Sequence, residues 1–345
     1  MSFETNEDFL NARLHGMRST LMEGDHLIRC VDDPEDYVRE TLSPAGLFPR
    51  DLSRLLIQKI FQERDMRIFQ KIHKYLSPED RIVVEIFYEE RFLENLRIIF
   101  KFWHRQSREN IADLLTAIPG KDLPDVERLF SADSISEFAR FIGDDTYTDL
   151  FLLASRHYKS GGDTFRFETY LENLHFRHFY EILQNRLRSH FSLMDKIYNT
   201  RLDIINLMTC LRLREYYRMP WSDTRDMFYR HSGAISEAFL ERVYPLESRA
   251  EYIRALPDPY SQILRSQSDV DLMDLEIALN RHFYRIVSKG FYTTTHCLGK
   301  ILCYIFLKNF ETQNLISIIE GKRLKTDRTE IVKCLIVPLD DRNIR

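Results

Sequence analysis

Arg177-His178-Phe179-Tyr180-Glu181-Ile182 recurs as Arg281-His282-Phe283-Tyr284-Arg285-Ile286, 104 residues further on counted from His178 to His282. Leu171-Glu172 returns as Leu275-Glu276 at the same displacement. Downstream of each copy come an acid, two other residues and Asn-Leu: Asp203-Ile204-Ile205-Asn206-Leu207, then Glu311-Thr312-Gln313-Asn314-Leu315. A third Asn-Leu pair, Asn95-Leu96, lies 111 residues before Asn206, which lies 108 before Asn314. Ile135-Ser136-Glu137 and Ile235-Ser236-Glu237 add an echo 100 residues apart. Matches in the same order at similar spacing mark an internal repeat of about 110 residues. The chain therefore reads as three related segments, 1–121, 122–224 and 225–345. The first is the most worn, with Phe92 where the other two copies carry the acid.

The segments should be helical. Glycine and proline number 11 each in 345 residues, below their usual shares of about 7% and 5%. Leu, Arg, Glu and Lys are frequent, and all favour helices. Leu10, Leu14, Met17 and Leu21 fall at i, i+4, i+7 and i+11, one face of a first helix. Ile331–Val337 is the best candidate strand, and a helix suits it equally. Breaks are expected at Ser43-Pro44-Ala45-Gly46, Pro119-Gly120, Ser160-Gly161-Gly162, Pro220, Leu256-Pro257-Asp258-Pro259 and Gly321. An acid three residues before Asn shares its helix face. Asn is a poor helix-interior residue, because its side chain competes for backbone groups. Its place here is explained if the amide bonds a neighbouring helix or loop and fixes the packing register. Asn95, Asp203, Asn206, Glu311 and Asn314 are the candidate anchors. His178 and His282, equivalent in the repeat, read as packing residues whose imidazoles bond backbone.

The charge balance, 49 basic against 53 acidic residues for a net −4, argues against a nucleic-acid partner, which usually leaves a basic excess. Cys30, Cys210, Cys297, Cys303 and Cys334 form no CxxC pair, which suits a reducing, cytosolic compartment. The start, MSFETNEDFL, is acidic and lacks the apolar core of a signal peptide. The most apolar run, Ile301–Leu307, is far short of the roughly 20 residues that cross a bilayer.

Few catalytic patterns occur. Asp32-Asp33-Pro34-Glu35-Asp36 spells the DDxxD that holds magnesium in helical prenyl-diphosphate enzymes. Pro34 interrupts the helix that would align those carboxylates, and Asp33-Pro34 reads better as an N-cap with proline at the first helical position. A magnesium-dependent transferase using Asp32, Asp33 and Asp36 is the alternative function. Glu172-Asn173-Leu174-His175 has the ExxH spacing of di-iron bundles, without the second ExxH such a site needs. Gly120-Lys121 and Gly321-Lys322 lack the phosphate-loop frame. The basic cluster Lys322, Arg323, Lys325 and Arg328 suits either an acidic partner or a solvated helix end. No metal, cofactor or small-molecule substrate is expected.

Phe291-Tyr292-Thr293-Thr294-Thr295-His296-Cys297-Leu298-Gly299-Lys300-Ile301, leading into Phe310-Glu311-Thr312-Gln313-Asn314-Leu315 and Glu320-Gly321-Lys322, resembles the central-stalk C subunit family of V/A-type ATPases, known as the d subunit in eukaryotes. Arg201-Leu202-Asp203-Ile204-Ile205-Asn206-Leu207, with Arg212 and Arg214 following, is similar to that family's second-repeat helix. Asn11-Ala12-Arg13-Leu14-His15-Gly16-Met17-Arg18-Ser19 is similar to its arginine-bearing first helix. The resemblance spans the chain and is most specific in the last third, which in the family ends with a Gly-Lys break and a last helix, here Thr329 to Val337. It implies an all-α funnel of three pseudo-repeated domains with approximate three-fold symmetry. One side would sit on a membrane proteolipid ring and the other would hold the rotor shaft of the ATP-hydrolysing head. Such a subunit is no enzyme: it couples ATP turnover to proton or sodium transport from the cytoplasmic face of the membrane, as a peripheral part of a membrane complex. Arg13, Arg18, Lys322 and Arg323 are the candidate partner contacts.

Overall fold

The computed structural model describes residues 3–33, 53–107, 111–159, 164–186, 191–230, 233–265 and 271–337. Seventeen α-helices and no strand occur among them, so the chain is all-α. In order they are α1 (Phe3–Ser19), α2 (Asp25–Asp32), α3 (Arg54–His73), α4 (Ile82–His104), α5 (Ile111–Leu114), α6 (Val126–Phe130), α7 (Ile135–Phe141), α8 (Asp145–Ala154) and α9 (Phe165–Arg186). Then follow α10 (Phe191–Glu215), α11 (Trp221–Thr224), α12 (Glu237–Val243), α13 (Arg249–Ala255), α14 (Tyr260–Leu264), α15 (Leu272–Thr293), α16 (Cys297–Arg323) and α17 (Arg328–Lys333). They form two compact units, residues 52–188 and residues 1–51 with 189–345.

In the unit of 52–188, α4 is the spine. Phe100 meets the rings of Phe138, Phe151 and Phe167 at centroid distances of 5.7, 6.2 and 4.4 Å, tying α4 to α7, α8 and α9. Trp103 buries its ring and donates from Nε1 to Ala132 O at 2.9 Å, so the indole N–H is satisfied. α4 also grips α9 by charge: Arg97 lies 3.0 Å from Glu168 and pairs with Glu172, while Lys101 lies 2.9 Å from Glu168. The short helices start where a side-chain oxygen is available. Asp125, Ser134 and Asp144 each accept the backbone N–H three residues on, relieving one of the unbonded donors of a first turn.

In the other unit α16 is the centre. Every residue from Ile301 to Leu307 is buried, so the most apolar run of the sequence is apolar because protein surrounds it on all sides. α1 packs on α16, with Leu10 and Leu14 buried and Leu21 tucked in just past the helix end. α10 packs along α15, and α15 along α16. Arg281 of α15 donates to Lys333 O at the end of α17 and to Leu335 O just beyond it, each at 2.9 Å.

Several expectations change. Gly321 is no break: α16 runs through it to Arg323. A Cβ at Gly321 would stand 2.6 Å from Ile331 Cγ1, so the missing side chain is what lets α17 close on α16. Ile331–Val337 is neither a strand nor a whole helix, since α17 ends at Lys333 and 334–337 are irregular. Pro119-Gly120 lies in a turn, Pro220 caps α11, and Pro257–Pro259 separate α13 from α14. Ser43–Gly46 and Ser160–Gly162 lie outside the described residues. The Ile-Ser-Glu echo falls on unlike places: Ile135 opens the third helix after α4, whereas Ile235 precedes the second helix after α10.

One feature recurs where no sequence motif marked it. α4, α10 and α16 are each followed by a non-glycine residue in the left-handed region: Gln106 (φ 53°), Arg218 (φ 48°) and Lys325 (φ 57°). These stand 11, 12 and 11 residues beyond Asn95, Asn206 and Asn314. Ser107 N–H donates to Phe102 O and Thr326 N–H to Gly321 O, the wrapped helix end that glycine usually closes. At Arg218 the wrap is one residue wider, Met219 N–H reaching Leu213 O.

Candidate functional site

The asparagines build the most regular feature of the chain. Asn95 Nδ2 donates to Thr116 O at 2.8 Å and its Oδ1 accepts Thr116 N–H at 2.9 Å. Asn206 treats Tyr229 in the same way, at 2.8 Å in both directions. Asn314 Oδ1 accepts Ile336 N–H at 2.8 Å, while its Nδ2 has no partner among the described residues. Each amide therefore serves one residue of the chain that follows its own helix, 21, 23 and 22 positions on, as a neighbouring backbone would. All three asparagines are at most 1% exposed, which makes every such bond costly to lose.

The acids three residues earlier extend the grip. Asp203 accepts Ala234 N–H at 3.1 Å, Ile235 N–H at 2.8 Å and Tyr260 O–H at 2.8 Å. Glu311 accepts Met22 N–H at 2.9 Å and pairs with Lys308. On α4 no acid precedes Asn95 by three residues, and Glu89, three residues before Phe92, accepts Tyr147 O–H at 2.8 Å. Phe92 itself offers its ring face to Lys121 Nζ at 4.1 Å. Burial and the facing carboxylates push the phenols of Tyr147 and Tyr260 up, so both keep their donor proton.

The two repeat-equivalent histidines do not share an environment. His178 is exposed and meets the Phe179 ring edge-on at 5.0 Å. His282 is half-buried, 6.2 Å from the Tyr260 ring, with its pKa lowered by burial and by Arg285 and Lys196. Among the arginines of α1, Arg13 is half-buried and Arg18 is buried inside the unit. Arg18 pairs with Glu23 at 2.7 Å and lies over the Tyr292 ring, so it faces its own chain. At the end of α16 the surface opens: Lys322, Arg323, Leu324 and Lys325 are all exposed, Leu324 by 70%. Arg323 pairs with Glu320 and Arg328 with Asp32, whose carboxylate also feels the charge of Lys322, while Lys325 has no ion pair among the described residues.

The catalytic alternatives find internal partners instead. Asp32 ends α2, with Arg328 Nε 2.6 Å from its Oδ1, and that guanidinium holds the carboxyl below its ordinary pKa. Asp33 is the C-cap of α2, a helix end where an N-cap was expected, and Pro34–Asp36 lie outside the described residues. Glu172 is taken by Arg97. Burial pushes the His175 imidazole down to about 3, so it is neutral, 3.4 Å from Tyr147 Oη. No group of three or more metal-ligating side chains, and no helix long and apolar enough to cross a membrane, occurs among the described residues. The five cysteines are free thiols.

Compared with known proteins, residues 10–334 match the profile of a family described as ATP synthase (C/AC39) subunit. No curated protein matches the chain.

Proposed function

Because the chain belongs to the ATP synthase (C/AC39) subunit family, which supplies the C and d subunits of V/A-type ATPases, we propose that it is the non-catalytic central-stalk subunit of such a complex. In that place it joins the rotor shaft to the membrane proteolipid ring and transmits torque for proton or sodium transport. It lies at the cytoplasmic face, peripheral to the bilayer, and needs no cofactor, nucleic acid or small-molecule substrate.

The observation that carries this reading is the asparagine clamp, made after each of α4, α10 and α16. A coupling part needs stiffness more than chemistry. Each charge crossing about 100 mV is worth roughly 2.3 kcal/mol, so several per ATP load the joint with something on the order of 10 kcal/mol. Loops that hinge would dissipate such a load; loops bonded back to long packed helices resist it. We take the three segments as copies of one plan: a long helix carrying the asparagine, a wrapped left-handed end, then a clamped loop. The exposed Lys322, Arg323 and Lys325, with Leu324 among them, form the partner surface this reading assigns at the end of α16, and Arg13 a second contact on α1.

Deleting the gene and assaying membranes tests the proposal. Membranes lacking the chain should lose ATP-driven ion transport, and the tagged chain should co-purify with the ATPase. A chain that is monomeric and absent from the purified complex overturns it.

A further inference from the structure

Where α10 ends, Arg214, Arg218, Tyr244, Pro245 and Glu247 line an open cleft of about 590 Å³ together with the ion pair Arg249–Glu215. Arg249 and Glu215 satisfy each other, Nε lying 3.0 Å from Oε1. The other two arginines have no carboxylate among the described residues. Arg214 lies over the Tyr252 ring at 5.4 Å, and its Nη1 is buried without an acceptor. Arg218 is exposed, and it occupies the left-handed position in which a helix end is most cheaply closed by glycine. Against these two guanidiniums stands one carboxylate, Glu247, itself without an ion partner among the described residues. The residues just before Arg218 are Tyr216 and Tyr217, 71% and 48% exposed. Tyrosine and arginine are the side chains that dominate binding energy at protein interfaces.

We propose that this cleft docks an acidic side chain of another polypeptide, its carboxylate bridging Arg214 and Arg218 while the two tyrosines pack on the surface around it. The charge count selects that occupant. One uncompensated positive charge matches a single carboxylate, whereas a dianionic phosphate would also face Glu247 and Glu215. The inference rests on the function proposed above for where the partner is found, namely within the assembled ATPase.

The test is made in that complex with Arg218→Lys, treated with a water-soluble carbodiimide that joins an amine to a carboxylate within ion-pair reach. Mass spectrometry should find position 218 coupled to an Asp or Glu of another subunit. Arg218→Gly should weaken retention of the chain in the complex about tenfold while its melting temperature stays level or rises, which separates lost docking from misfolding. A complex that contains the substituted chain but yields no such coupling overturns the inference and leaves the proposed function standing. Absence of the unsubstituted chain from the complex overturns that function. Binding to phosphatidylserine vesicles that Arg218→Gly abolishes would assign the cleft to lipid, and equally overturns the docking of a protein carboxylate.

Discussion

The amide of Asn95 does for Thr116 what an adjoining strand would do for it, giving a donor and an acceptor to one residue. Asn95→Ala removes both bonds from a site 1% exposed, beside Thr116 Oγ1, which donates to Gln62 at 2.8 Å. It should cost about 2–3 kcal/mol, at roughly 1 per bond plus desolvation of the orphaned peptide groups. Asn314→Ala, which loses one described bond, should cost less. Urea midpoints at unchanged slope measure the order, and equal losses would refute the bond count. His175 makes a prediction about pH. Folding keeps it neutral down to about 3, while an unfolded histidine takes a proton near pH 6.5. Between those values the unfolded state binds more protons, so stability is present above about pH 6.5 and is lost as pH falls through this window. The loss should reach about 2 kcal/mol at pH 5, and His175→Gln should lose that much less between pH 7 and pH 5.

At the scale of elements, two substitutions of similar size should act in opposite directions. Gly321→Ala drives a methyl group into Ile331, whose Cγ1 would be 2.6 Å away. Overpacking of this kind costs about 1–3 kcal/mol, and the strain falls on α17, a helix of only six residues. Thermal melting should show the drop, and trypsin should cut earlier at Lys333. Gln106→Gly relieves a left-handed side chain after α4 at the loss of its Nε2 bond to Trp103 O at 2.9 Å, and should raise stability by about 0.5 kcal/mol. No change in either melting curve would mean that these ends are not packed as described. The long helices were legible beforehand, because apolar spacing and scarce glycine and proline report helix directly. The end of α16 was not: a glycine signals a break and a close approach with the same letter, and only the position of Ile331 separates the two.

For the whole molecule, the compact unit of 52–188 is one continuous stretch, whereas the other is made of both chain ends. A fragment of residues 52–188 should therefore fold alone, with a helical circular dichroism spectrum and a cooperative melt; a non-cooperative melt would show that it depends on the rest. The sequence by itself determined that the chain is helical, that its Asn-Leu motifs recur, and which family it resembles. All of these are properties of spacing and residue type along one chain. It marked Asn95, Asn206 and Asn314 as anchors without saying what they hold, because Thr116, Tyr229 and Ile336 share no side-chain character: their backbones are what is bound. Only the tertiary structure decided that Arg18 faces inward to Glu23, that Asp32 answers Arg328 from 296 residues away, and that Glu89 meets Tyr147. It also decided which arginines stand without a carboxylate. Pairing of charges depends on which helices meet, and local sequence does not carry that information.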